Sequence, residues 1–397
     1  MNVFGTVTSN LWAYAGGIIN VSSGGVVNGA STAGTTLSGG TVNVFSSGKL
    51  GFAVVSAGGT LNESFGGVVH DVVVSSGGNL DVAGATTSNV TVLSGGTETV
   101  LSGGVATGVT GSGTRISGGT VNVSSGGELD HASIFLSGNL NVSSGGTVHD
   151  IQVSSGGALS VAGTVTSNVT VFAGGVETVS SGGDATGAIG FGTVISSGGT
   201  VNVQSSGTFE FATVSSGGKV NVSAGASADN ISVSSGGVLN VAGTVTSDTK
   251  VFAGGVENVS SGGDVTGVIG SGTVISSGGT VNVLSGGTFE FATVSSGGKV
   301  NVSAGGSADN INVSSGGALN VAGTATSDVT VFAGGVETVS SGGDVTGADD
   351  SSNVISSGGT VNVMSSGEFE FATVLSGGKL NVSGVEAPTI SSSAAAR

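Results

Sequence analysis

A run of about 19 residues returns along almost the whole chain, and a fixed period of that length limits the fold more than any other feature. From Ile195 the sequence divides into units of 19, 19, 18 and 24 residues, which open on Ile195, Val214, Val233 and Val251. This 80-residue block recurs nearly verbatim from Ile275 and begins again at Ile355. More diverged copies start at Thr36 and Arg115, and residues 1–35 match the end of a block, so the chain opens mid-repeat. The pattern predicts one continuous repeat domain over 1–383, made of about 20 coils grouped in blocks of 79–80 residues, and a non-repeat tail over 384–397.

Within each unit a Gly-Gly pair and one further residue precede an apolar-polar-apolar run, as in Val201-Asn202-Val203 and Val220-Asn221-Val222. That alternation is the period of a strand, with both Val on one face and Asn on the other. A second short strand follows, as in Phe209-Glu210-Phe211, after SSGG, SAGG or SSG. Glycine admits the positive φ of a tight corner, and serine hydroxyls bond local backbone groups. Strands this short need partners. A period of 19 supplies them if each unit is one coil of an all-β solenoid whose strands pair with the coils above and below. Val, Leu, Ile, Ala and Phe then fill the interior, and Ser, Thr, Asn and the few charges lie outside.

Composition narrows the function. Eighty Gly with a single Pro and no three-residue period exclude collagen. No stretch approaches the roughly 18 consecutive apolar residues of a membrane helix. A net charge of −17 from 24 acidic and 7 basic residues argues against nucleic acid as a partner. The lack of Cys removes disulfides, thiolate metal sites and Cys nucleophiles together. The N-terminal MNVFGTVTSNLWAYAGG has neither the basic region nor the apolar run of a secretory signal.

The SSGGTVNVSSGG unit at this spacing resembles the repeats of the AIDA group of autotransporter passenger domains, the diffuse-adherence and self-aggregating adhesins, from about residue 3 to Ser383. The resemblance implies a right-handed parallel β-helix displayed at the outer membrane by a C-terminal β-barrel. It implies roles in adhesion, autoaggregation and biofilm formation, and a heptosyltransferase that adds O-linked sugar to Ser and Thr. No signal peptide or barrel accompanies these repeats, and the tail breaks the pattern, which is expected of a fragment of a larger passenger.

The candidate sites come from aligning the coils. Glu210 and Asp229 are 19 apart at matching positions, as are Glu290 and Asp309, while Asp130 faces His149; Asp248 and Asp328 extend the columns in an uncertain register. Neighbouring coils place such carboxylates about 5 Å apart, which suits a surface cation or the paired carboxylates of a retaining glycosidase, and equally a solvated acidic stripe. Trp12 and Tyr14 are the only Trp and Tyr, which leaves a sugar-cleaving site few rings to stack on, and Trp12 is expected at the surface. Alternation points Phe209 and Phe211 into the core. His70, His131 and His149 read as structural, too few and scattered for zinc, with His131 at a core Phe position. Asp184, Asp264 and Asp344 follow Gly-Gly only once per block, too far apart to share calcium as in nine-residue Ca²⁺ rolls. The many Gly-Gly pairs lack the Gly-Lys-Ser/Thr ending of a phosphate loop. Asn122, Asn168 and Asn221 match N-glycosylation sequons, but stacking of the repeat's Asn column into an amide ladder is the simpler reading.

The fourth coil of each block carries about five extra residues, as in Asp264-Val-Thr-Gly-Val-Ile-Gly-Ser-Gly and the last copy with Asp344, Asp349 and Asp350. Such insertions form contact loops or passive bulges. The resulting expectation is a non-enzymatic cell-surface adhesin with no cofactor, which contacts itself and host or neighbouring cells through a Ser/Thr/Asn face. Two other readings stand beside it: a β-helical enzyme on polysaccharide that uses the carboxylate column, and a passive stalk for a binding domain elsewhere.

Overall fold

The structure is a computed structural model that describes residues 1–29, 34–86, 89–108, 113–187, 192–246, 248–267, 272–347 and 353–384. Every helix-or-strand element among them is a strand, and together they form a parallel β-solenoid of about 19 turns. The chain groups into two compact units, one of Met1–Val194 with Gly199–Val201 and Ser206–Thr208, the other of Ile195–Gly198, Asn202–Ser205 and the residues from Phe209 onward.

In the first unit Thr120–Val123, Asn139–Val142 and Ala158–Val161 stack in parallel, with Val121, Leu140 and Leu159 in one column and Val123, Val142 and Val161 in another. All six are at most 2% exposed. In the second unit Thr280–Val283, Lys299–Val302 and Ala318–Val321 repeat the arrangement, with Val281, Val300 and Leu319 buried and Asn282, Asn301 and Asn320 aligned on the other face. The two-residue alternation therefore sorts each strand into a dry wall and an amide wall.

Each 19-residue coil continues through a longer strand, such as Thr288–Val294, that bends in its middle. Phe289 and Ala292 are buried, whereas Glu290 and Phe291 between them both lie toward the surface. Phe291 has φ 52°, and its counterpart Phe211 has φ 54°. A residue in the left-handed region turns the chain and resets the alternation. Phe211 is accordingly half-buried at a corner, not a core residue, while Phe209 is fully buried as expected.

The two glycines of a corner have different duties. Gly297 has φ 84°, whereas Gly298 has no room for a side chain, since a Cβ there would lie 2.4 Å from the Ile275 carbonyl oxygen of the coil below. The corner is tied by Gly298 N–H to Ser295 O and to the next coil by Gly297 N–H to Gly316 O, each 2.8 Å. Gly-Gly recurs because a corner needs one positive φ and one close approach in succession.

Candidate functional sites

The outward Asn of each four-residue strand is a continuous hydrogen-bonding element. In the second unit, the Asn221 amide donates to Asn202, Asn240 to Asn221, Asn258 to Asn240, Asn282 to Asn258, Asn301 to Asn282 and Asn320 to Asn301, all at 2.8–2.9 Å. Asn122 accepts from Asn141 in the first unit at 2.9 Å. Asn168 sits elsewhere, at a corner with φ 44°, and donates to Asp150 at 2.8 Å. The three sequon asparagines are thus engaged in bonds between coils.

The carboxylate column forms where the spacing placed it. Glu290 lies opposite Asp309 in a parallel pair, and burial, the Asp309 charge and the Asp264 charge together raise the Glu290 carboxyl above its ordinary range. The strands that carry Glu210 and Asp229 pair in the same way. Ser327 donates to Asp309, and Asp328 is an exposed corner residue with φ 46°; Asp248 occupies the matching corner with φ 48°. Their repeat counterpart Asn168 meets Asp150, so Asp248 and Asp328 follow the neighbouring corner column and not the Glu290–Asp309 one.

Asp184, Asp264 and Asp344 are half-buried strand residues in Asp184–Thr186, Asp264–Val265 and Asp344–Val345, ahead of the extra residues and not within a loop. Asp349 and Asp350 lie outside the described residues. Trp12 and Tyr14 belong to one short strand and are 56% and 65% exposed.

The histidines depart from expectation. His131 and His149 are not scattered: both Nδ1 atoms face one oxygen of Asp130, at 2.5 and 2.9 Å. His131 is no core residue either. It has φ 56° and sits at the corner that Phe211 and Phe291 occupy in other blocks. His70 contacts Asp71 at 2.8 Å and meets the Phe52 ring edge-on at 5.9 Å between centroids.

A set of carboxyls occupies inward positions of the alternation, where only apolar residues are expected. Glu98, Glu177, Glu257 and Glu337 are fully buried, each in the wall position that holds Val or Leu in other coils. Glu257, for example, lies between Leu239 and Val281. Burial pushes all four up to about 8; for Glu98 the Glu63 charge adds to this and the Thr114 hydroxyl opposes it. Neither oxygen of Glu177, Glu257 or Glu337 has a hydrogen-bond partner of proper geometry. The signal was available: in Val-Glu-Thr-Val the Glu occupies the inward place of the first core Val in Thr-Val-Asn-Val. Each is followed 16 residues later by a buried polar residue, Thr114, Thr193, Thr273 or Asn353.

No family model and no curated protein matches the chain. Among solved structures, a hyper-glycosylated fragment of TibA, modified by TibC, is 30% identical over 80% of this chain and 99% of that one. The superposition has a TM-score of 0.40, too low to equate the two backbones.

Proposed function

We propose that the chain is a non-enzymatic passenger of the AIDA kind, displayed on the cell surface, that joins cells to one another and to host or neighbouring surfaces. The observation that carries this reading is the outer wall itself. Coil after coil presents amides and hydroxyls in a fixed register over an apolar interior, so two copies can meet through many weak polar contacts whose strength comes from number. The repeat's resemblance to self-aggregating passengers supports the same reading. On it, Ser and Thr at the exposed corners accept O-linked sugar from a heptosyltransferase, and a β-barrel outside these residues anchors the passenger at the outer membrane. Fluorescently marked cells that display the chain, mixed with unmarked cells that display or lack it, test the proposal. Mixed clumps that form only when both populations carry the chain are expected, and their absence together with a lack of surface attachment overturns it.

One observation favours the polysaccharide-cleaving alternative, namely the raised Glu290 carboxyl opposite Asp309. Incubation of the full chain with acidic and neutral glycans, followed by a reducing-end assay, decides it; release that disappears in Glu290→Gln would establish an enzyme.

A further inference from the structure

The block that starts at Arg115 differs at one corner from the two blocks that follow it. Where two later blocks carry Glu210-Phe211 over Asp229-Asn230 and Glu290-Phe291 over Asp309-Asn310, this block carries Asp130-His131 over His149-Asp150, and Glu128 replaces Thr208 and Thr288. Only this block has a metal-ligand type at all five positions: the block from Thr36 has His70 and Asp71 at the last two, and the block from Ile355 has Glu368 and Glu370 at the first two. The register brings them together. Strand Glu128–Phe135 pairs with Thr147–Val153 so that Asp130 lies opposite His149, and the corner residues His131 and Asp150 share φ 56°.

The contacts within the cluster set imidazole nitrogens against carboxylate oxygens at close range. His149 presents Nδ1 to Asp130 at 2.9 Å and to Asp150 at 3.5 Å, while its Nε2 faces Glu128 at 3.2 Å. A neutral imidazole has one N–H, so one of those nitrogens turns a lone pair toward a carboxylate. Asp130 Oδ1 and His131 Nδ1, 2.5 Å apart, are shut off from solvent without hydrogen-bond geometry. The ligand atoms of Asp130, His149 and Asp150 all lie within 4.8 Å of one another, and Asp150 Oδ2 is 4.0 Å from His131 Nε2. Beside them opens a pocket of about 200 Å³, lined in part by Arg115, His131, Asp150, Gln152 and Asn168, with room for a water on an open coordination position; the Arg115 guanidinium is stacked over the Phe135 ring.

We infer that Asp130, His149 and Asp150, with His131 at their edge, form a binding site for one divalent transition-metal cation of the zinc class. Imidazole nitrogens together with carboxylate oxygens and no thiolate favour zinc, nickel or copper over calcium and magnesium, which take oxygen alone. Ligands of a tetrahedral zinc ion stand roughly 3.3 Å apart, so the closest pairs here spread by under about 1 Å as the ion enters. The ion would then bridge the coil of Asp130 to the coil of His149 at the corner where the two later blocks carry carboxylate, phenyl and amide.

Zinc chloride titrated calorimetrically into the full chain tests the inference, with calcium and magnesium chloride for comparison and cobalt for its visible d–d bands. One zinc per chain and little heat from the hard cations are expected. His149→Ala should weaken zinc at least about 10-fold, and His131→Phe, beside the ligands, by less. The quadruple variant Asp130→Glu, His131→Phe, His149→Asp, Asp150→Asn restores what the later blocks carry, so it should keep its β circular dichroism and thermal midpoint while losing zinc binding and the cobalt bands. No saturable zinc binding by the parent chain overturns the inference and leaves the cluster as histidine–carboxylate contacts. Binding that survives in the quadruple variant overturns it as well.

Discussion

The two compact units share one coil design but differ in their outer amide column. In the second unit it runs unbroken from Asn202 to Asn320 before Thr338 interrupts it. In the first it runs from Asn2 to Asn62, gives way to Asp81 and Thr99, resumes at Asn122 and Asn141, and stops at Ser160. The inner wall shows no such difference, since Leu80, Val121, Leu140 and Leu159 are as buried as Val220, Val281 and Val300. Main-chain pairing and apolar burial therefore set the coil, and the amide column adds increments that can be missed out locally.

The largest expected effect concerns the one class of interior residue that ought to separate the units. Glu98 in the first and Glu257 in the second have folded values of about 8 against an ordinary 4.5. The folded state holds the extra proton, so their favourable term is complete below pH 4.5 and is lost as pH rises through about 8. By linkage each group costs on the order of 5 kcal/mol once ionised. Only Glu98 also has a neighbouring carboxyl, Glu63, that raises it further. Hydrogen exchange corrected for intrinsic rate should show protection lost between pH 6 and 9.5 in Thr97–Val100 and Val256–Val259, with the former opening first. Glu98→Gln and Glu257→Gln should each flatten that dependence locally; equal protection at both pH values in the parent chain refutes the buried-acid reading.

Corner glycines come next, and here the units should agree. A Cβ on Gly157 would lie 2.5 Å from Ile134 O and one on Gly298 2.4 Å from Ile275 O. Gly157→Ala and Gly298→Ala each force backbone to move, at about 1–3 kcal/mol. Urea midpoints read by circular dichroism should fall by similar amounts. If the first-unit variant is silent, the walls of the two units are not packed alike.

The smaller effects belong to the ladder. Asn301→Ala leaves the Asn282 oxygen and the Asn320 amide without their partners, at about 1–2 kcal/mol. The expected result is a lower thermal midpoint with unchanged strand content, whereas Ser160→Ala, at a column position already outside the ladder, should cost less.

How far the sequence alone reaches follows from these positions. The solenoid and the ladder could be read because both depend on period, and a period survives in any copy. The Phe211 and His131 corners could not, because alternation counts two faces and a residue with positive φ makes a third direction. The facing of Asp130 and His149 is legible in the 19-residue spacing, but His131 reads as scattered because it and Asp150 reach the cluster through corners, where strand parity gives no guidance. Glu177 and Glu257 stand at inward positions of the alternation, yet a charge is expected on the outward face, and an acid is buried only where it can stay protonated.

The least perturbing prediction repairs the first unit's gap. Asp81 lies between Asn62 and Thr99 in register, and Thr99 lies opposite Asn122. Burial raises the Asp81 carboxyl, so as an anion it is disfavoured there, and an amide in its place would both donate and accept along the column. Asp81→Asn with Thr99→Asn should join Asn62 to Asn122 and raise the midpoint by the equivalent of about 0.5–1 kcal/mol. The gain should be larger at pH 8 than at pH 4, since only the ionised Asp81 opposes its burial. A pH-independent gain would mean that hydrogen bonding alone separates the two columns, and no gain at all would mean that the ladder is a consequence of the coil's register and contributes nothing to holding it.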